Sequence, residues 1–192
     1  MNDTLIPDIP SAYTDIEAKT KAIGFSMSSD LQLGSILKTL VASKPQGLFL
    51  ELGTGTGLSL AWIVEGMDSK ARVISVDNDA ELIKVAQDAF CDDERVQLIC
   101  QDGTQWIKEY QGEAFDLIFA DTWPGKYSEL DETLNLLKSG GLYIIDDMLE
   151  QTNWPAGHTE KAAALIKDLE QRPHLHITKM NWSSGLIIAT KV

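Results

Sequence analysis

Two hydrophobic patterns alternate along the chain. Short runs that are apolar at nearly every position, at residues 48–52, 73–76, 96–100, 117–120 and 142–145, predict strands buried on both faces, as in a parallel sheet. Between them lie stretches of helical period at 58–65, 80–89, 103–110 and 128–137. Repeated β-α units of this kind predict a parallel sheet with right-handed crossovers. Two helices precede them. Residues 11–24 are polar and helix-compatible, and Leu33, Ile36, Leu37, Leu40 and Val41 recur on one helical face after a Ser28-Ser29-Asp30 cap. After the fifth strand the rhythm changes. A helix around 159–169 is followed by β-like segments at 175–181 and 185–191, separated only by Trp182, Ser183 and Ser184. So short a link permits an antiparallel hairpin and forbids a parallel crossover.

The expected fold class is therefore α/β: a three-layer sandwich around a seven-stranded, mostly parallel sheet, with a C-terminal antiparallel hairpin and two extra N-terminal helices. No repeat or low-complexity linker divides the 192 residues, so one domain over 1–192 is expected, with 1–45 covering the site. A net charge of −13 would repel a phosphate backbone or an anionic bilayer, which argues against nucleic-acid and membrane partners. No apolar run approaches the ~18–20 residues of a membrane span. The first ten residues lack the basic and apolar regions of a signal peptide, so a cytoplasmic protein is expected. Cys91 and Cys100 have neither disulfide-framework nor metal-ligand spacing and are expected to be buried or semi-buried thiols.

The strongest chemical signal is Glu51-Leu-Gly-Thr-Gly-Thr-Gly57, directly after the first predicted strand. Glycines there let the backbone approach a ligand and adopt positive φ, at the strand edge where open α/β sheets bind ligands. A dinucleotide fingerprint would space its glycines Gly-x-Gly-x-x-Gly, whereas here Gly53, Gly55 and Gly57 alternate and Leu58 stands at the third fingerprint position. Asp77 closes the second strand, roughly the twenty-odd residues onward at which a βαβ unit places a ribose-binding carboxylate. It or its neighbours Asn78 and Asp79 could instead cap the next helix. Asp102, before Gly103, reads on its own as a helix cap. The segment 47–65 has no Lys or Arg to hold a phosphate, which favours a cationic cofactor.

Together these residues resemble class I S-adenosylmethionine-dependent methyltransferases of Rossmann-like fold. The resemblance implies S-adenosylmethionine bound through Glu51, Gly53, Thr54, Gly55, Gly57, Ser59, Asp77, Asn78, Asp102, Gly103 and Asp121. Asp121 ends the fourth strand, while Asp146 and Asp147 end the fifth. With Met27-Ser28, this layout is similar to the metal-dependent O-methyltransferases of the catechol and caffeoyl-CoA type. By that likeness Asp121, Asp146 and Asp147 would bind Mg²⁺ or Ca²⁺, a hard ion that activates an acceptor hydroxyl. Two positions depart from the family: Asp147 stands for its Asn, and Pro124 stands where its base lysine would be, three residues after Asp121. Lys126 lies two residues further on and could serve if the loop bends differently.

Candidates for a catalytic base are thus Asp121, Lys126 and His158, the last in a loop after the fifth strand that should overhang the acceptor. Asp147 is a further one. Trp123, Trp154, Tyr127 and Met27 could wall an aromatic or acyl pocket, although aromatics are also ordinary core material. His174 and His176 read as surface or packing residues. The expected activity is methyl transfer to a small-molecule acceptor, most simply a hydroxyl oxygen. The alternatives are an NAD(P)-binding oxidoreductase, disfavoured by Leu58, by the terminal hairpin and by the lack of a Tyr-x-x-x-Lys pair, or a non-catalytic module that binds the same cofactor. The first helices could pair with a second subunit as a homodimer.

Overall fold

A computed structural model describes residues 2–27, 29–151 and 154–192. Ser28, the first residue of the expected cap, and Thr152, in the loop toward His158, lie outside the described residues. Along the chain the elements are α1 (Ser11–Ala22), α2 (Leu31–Ala42), β1 (Leu48–Leu52), α3 (Leu58–Gly66), β2 (Arg72–Asp77), α4 (Ala80–Phe90) and β3 (Val96–Cys100). They continue with α5 (Gly103–Glu109), β4 (Phe115–Ala120), α6 (Leu130–Asn135), β5 (Leu137–Ile145), α7 (His158–Glu170), β6 (Leu175–Met180) and β7 (Leu186–Lys191).

The seven strands form one sheet in the order β3-β2-β1-β4-β5-β7-β6. β1 to β5 are parallel, and β7 is antiparallel to both β5 and β6. The expected sandwich with its terminal hairpin is the observed fold. One hydrophobic core lies between the sheet and α1–α4, with Trp62, Leu33, Leu37 and Phe49 at its centre. A second lies on the other face under α5 and α7, around Tyr143, Phe115 and Leu169. The stripe on α2 is as expected: Leu33, Leu37 and Val41 are buried, with Ile36 and Leu40 packed against them. Asp30 caps this helix, accepting the Leu33 N–H at 2.8 Å. α2 crosses α3 so closely that a Cβ on Gly34 would fall 2.2 Å from Trp62 Nε1.

Several details differ from expectation. β3 and β6 are sheet edges, so their outer faces are solvated and not buried on both sides. Cys100 on β3 and Cys91 in the turn after α4 are consequently exposed, correcting the expectation of buried thiols. α6 covers only Leu130–Asn135, and β5 starts at Leu137 where a helix was expected to end. Leu137 pairs with Phe115, and the register then shifts so that Leu142 pairs with Leu117, with Gly140 at φ 76° in the bulge. The bulge thus interrupts the strand without ending it.

Parallel pairing leaves the carboxyl ends of β1 to β5 at one edge of the sheet. The strand order reverses between β1 and β4, so a crevice opens there, between the loop after β1 and the loop after β4.

Candidate active site

The loop after β1 carries Gly53, Gly55 and Gly57 at φ 101°, 51° and 97°. Gly53 would clash if substituted: its Cβ would sit 3.0 Å from the Asp121 carbonyl oxygen, because Asp121 N–H donates to Leu52 O and holds the two loops together. Asp77 does not cap α4. That task falls to Asp79, which accepts the N–H groups of Glu81 and Leu82. Asp77 instead turns back to the glycine loop, accepting Gly55 N–H at 2.8 Å through Oδ2. Asp102 accepts Gln105 N–H at 2.9 Å, so it caps α5; its carboxylate is also exposed beside the crevice. Asn78 is exposed next to Asp77.

Beneath the loop, Glu51 is wholly buried and accepts hydrogen bonds from Ser59 Oγ, at 2.7 Å, and from Ser75 Oγ. Ser75 also shares a hydroxyl contact with Thr54 at 2.6 Å. Burial pushes the Glu51 carboxyl up to about 7, partly offset by the two serines. A narrow cleft runs over these residues, bounded by Phe25, Met27, Ser29, residues 53–56, Leu58, Ser59 and Asp121. Phe25 lies against Gly55, where a Cβ would be 3.5 Å from its ring. Among the described residues, no Lys or Arg borders the cleft.

On the β4–β5 side, Asp121 is half-buried and accepts from Ser29 Oγ at 3.4 Å. Desolvation, then the charge of Asp146, raises its carboxyl well above the ordinary range, and Lys126 opposes the rise. Asp146 is buried and its Oδ1 is already engaged, by Asp147 N–H at 2.7 Å and by Ser184 Oγ–H. Burial lifts it to about 6. Asp147 sits at φ 54°, a left-handed conformation that Asp tolerates better than most residues. Burial raises its carboxyl too, against the pull of Lys126 and His158.

The loop from Asp121 to Glu129 bends tightly. The N–H groups of Lys126, Tyr127 and Ser128 all converge on Trp123 O, Gly125 takes φ 85°, and Tyr143 OH donates to Gly125 O. Pro124 therefore turns away toward Gly103, whose Cβ would be 3.0 Å from it, while Lys126 turns inward. Lys126 is 4% exposed, and its Nζ donates to Asp146 O at 2.6 Å. Desolvation lowers its pKa, while the carboxylates of Asp121, Asp147 and Asp146 act to raise it.

Beside Lys126, Tyr127 stacks into a cluster with Trp123, Trp154 and His158. Ring centroids lie 4.3 Å apart for Trp154–His158 and 5.3 Å for Trp123–Tyr127. His158 is 9% exposed at the start of α7, with Nε2 3.1 Å from Tyr127 OH; Nδ1 has no partner among the described residues. Burial, then the charges of Lys126 and Lys161, lowers its pKa, so the ring is neutral near pH 7. Met27 does not join this wall: it is 71% exposed at the cleft rim. His174 and His176 are exposed, away from the site.

Among the described residues no three His, Cys, Asp or Glu side chains group so as to hold a metal ion. Around them, Asp146 spends Oδ1 on two hydrogen bonds, and the positive charge of Lys126 acts on all three carboxylates. As they stand, Asp121, Asp146 and Asp147 do not present the convergent oxygens that a resident Mg²⁺ or Ca²⁺ takes. Phe25, Ser29 and Ser184 belong to the site too. Sequence marked Ser29 only as part of a helix cap and gave Phe25 and Ser184 no signal, because each is one apolar or hydroxyl residue in an ordinary loop.

A Rossmann-like sheet with a glycine loop at its switch point defines a class of cofactor-binding folds, and solved structures share this fold closely. The S-adenosylhomocysteine complex of the O-methyltransferase from Bacillus cereus superposes with a TM-score of 0.84, at 21% identity, over 99% of this chain and 94% of that one. The O-methyltransferase TomG from Streptomyces achromogenes, solved with S-adenosylmethionine, gives 0.85 at 15% identity, over 99% and 93%. The model of the O-methyltransferase family matches residues 14–192, and the chain belongs to that family. Among curated relatives, an O-methyltransferase of Mycobacterium ulcerans is 27% identical over 118 residues, 59% of this chain. The matched stretch spans about half of that relative's length, 53%.

Proposed function

We propose that the chain is an S-adenosylmethionine-dependent O-methyltransferase whose acceptor is a small molecule bearing a hydroxyl group. The observation that carries this reading is the glycine loop over buried Glu51, latched by Asp77 and lined by no cation. Such a cleft repels phosphate and favours a sulfonium. Family membership and the bound S-adenosylmethionine and S-adenosylhomocysteine of the two neighbours support it. When bound, the cofactor supplies an electrophilic methyl group. The loop 53–57 would hold its amino-acid part, Asp77 with Asn78 would take the ribose hydroxyls, and Asp102 with Gly103 would meet the adenine.

Asp121 borders both the cofactor cleft and the carboxylate cluster, and burial with the neighbouring charge of Asp146 makes its carboxylate a stronger proton acceptor than a free one. It takes the acceptor hydroxyl proton; the oxygen then attacks the methyl carbon as the carbon–sulfur bond breaks, and the proton later leaves to solvent. Holding oxygen, methyl and sulfur in line is the larger part of the catalysis. Trp123, Tyr127, Trp154 and neutral His158 form the wall against which the acceptor lies. The whole chain acts as one domain, with residues 1–45 as cover.

Incubation with S-adenosylmethionine and a panel of phenolic, alcoholic and amine acceptors tests the reading. Stoichiometric S-adenosylhomocysteine release with hydroxyl acceptors is expected. Methylation of amines alone would overturn the oxygen assignment, and bound cofactor with no turnover on any acceptor would favour the non-catalytic module.

A further inference from the structure

Lys126 is the unusual member of this site. It lies five residues after Asp121, and only the bend 123–128 brings it inward, held by three N–H bonds to Trp123 O and by Tyr143 on Gly125. Its ammonium is almost wholly buried yet makes a single hydrogen bond, to Asp146 O. An ammonium has three N–H donors, and burying two of them unused is costly. No carboxylate oxygen lies within ion-pair distance of Nζ among the described residues, although those of Asp121, Asp146 and Asp147 all act on it electrostatically. Two donors and a positive charge are thus left for something that enters the site.

We propose that the Lys126 ammonium stands in this chain where related enzymes would use a divalent cation, so that it holds the acceptor oxygen for methyl transfer and excludes metal from the carboxylates. This inference rests on the methyl-transfer reading for the identity of the acceptor, and on the site alone for metal exclusion. The geometry fits both halves. Asp121, Asp146 and Asp147 carry up to three negative charges, which the ammonium partly neutralises as a first metal charge would. Asp146 Oδ1 is tied by Ser184 and by the Asp147 N–H, which leaves only Oδ2 of this carboxylate to meet an ion. When Asp121 removes the acceptor proton, the oxygen anion gains two charge-assisted N–H contacts from Nζ. Atoms balance without a metal: the hydroxyl proton goes to Asp121, the methyl to oxygen, and the neutral thioether departs.

The direct test is titration of the purified full chain with Mn²⁺, followed by electron paramagnetic resonance of the free ion, without cofactor or acceptor. Wild type should bind no Mn²⁺ at the site up to a dissociation constant of about 1 mM. Lys126→Met should admit one ion with at least a tenfold gain in affinity, and Asp121→Asn added to it should abolish that gain. Should Lys126→Met fail to fold, Lys126→Gln serves in its place, while Lys126→Arg keeps the cation and should still exclude Mn²⁺. Wild-type turnover should be unchanged in excess chelator, whereas Lys126→Met loses at least a hundredfold in kcat with cofactor affinity retained. One tightly bound Mn²⁺ per wild-type chain, or chelator-sensitive turnover restored by Mg²⁺, would overturn the proposal. Because the titration needs no cofactor, metal exclusion stands or falls separately from methyl transfer.

Discussion

Burying Glu51 under the glycine loop should leave a measurable pH signature in stability. Its carboxyl rises from an ordinary 4.5 to about 7, chiefly through desolvation, because Ser59 and Ser75 compensate only part of the lost water. The folded state therefore binds this proton more tightly than the unfolded chain. Stability from the group is full below the unfolded pKa, falls as pH rises between the two values, and is gone above about 7. At ~1.4 kcal/mol per pH unit, that amounts to about 2.5 kcal/mol lost between roughly pH 5 and pH 8. Glu51→Gln keeps an acceptor for Ser59, and the Ser75–Thr54 hydroxyl pair can reverse its donors to receive the new amide. The variant should lack this share of the slope. Urea unfolding of both proteins across that range isolates it, because Asp121, Asp146 and Asp147, which also titrate upward, are common to both. Parallel stability curves would refute the assignment of a proton to Glu51.

Other outcomes follow from the same contacts. Gly34→Ala drives a Cβ into the Trp62 ring and should cost at least ~1–3 kcal/mol, read as a lowered Tm; an unchanged Tm would mean that the α2–α3 contact is looser than described. Asp77→Ala removes both the latch on Gly55 and the acceptor for the ribose, and should weaken S-adenosylmethionine binding by roughly ten- to a hundredfold, the value of a charge-assisted hydrogen bond, in calorimetry. His158 should titrate by NMR below the ordinary 6.5, so its share of stability is lost as pH falls; a midpoint above 6.5 would contradict the buried, neutral ring.

Most of the frame was legible in the chain. Continuous apolar runs marked the strands and period-3.6 stretches the helices, and the three-residue link at 182–184 left room only for a hairpin, because all of these follow from local burial and chain geometry. The glycine loop was legible because positive φ at alternating positions leaves few other residues permissible. Asp77 was placed at a strand end, but its bond to Gly55 depends on two loops meeting across the sheet switch point, which spacing does not encode. The acceptor side was harder. Counting from Asp121 put Pro124 at the position where the family would keep its lysine and left Lys126 out of step. A bend closed by one carbonyl, a positive-φ glycine and a tyrosine from the next strand brings Lys126 inward all the same. For the three aspartates, sequence shows which carboxylates share an edge and not that the charge of Lys126 acts on all of them. Ser184, arriving from the hairpin turn some forty residues later, had no local mark at all.

The account turns on the cleft over residues 53–57 receiving S-adenosylmethionine. Isothermal titration of the full chain with S-adenosylmethionine and, separately, with NAD measures this most directly. One-to-one binding of S-adenosylmethionine, with none of NAD, is the predicted result; no binding of S-adenosylmethionine at about millimolar concentration, or binding of NAD instead, would contradict it.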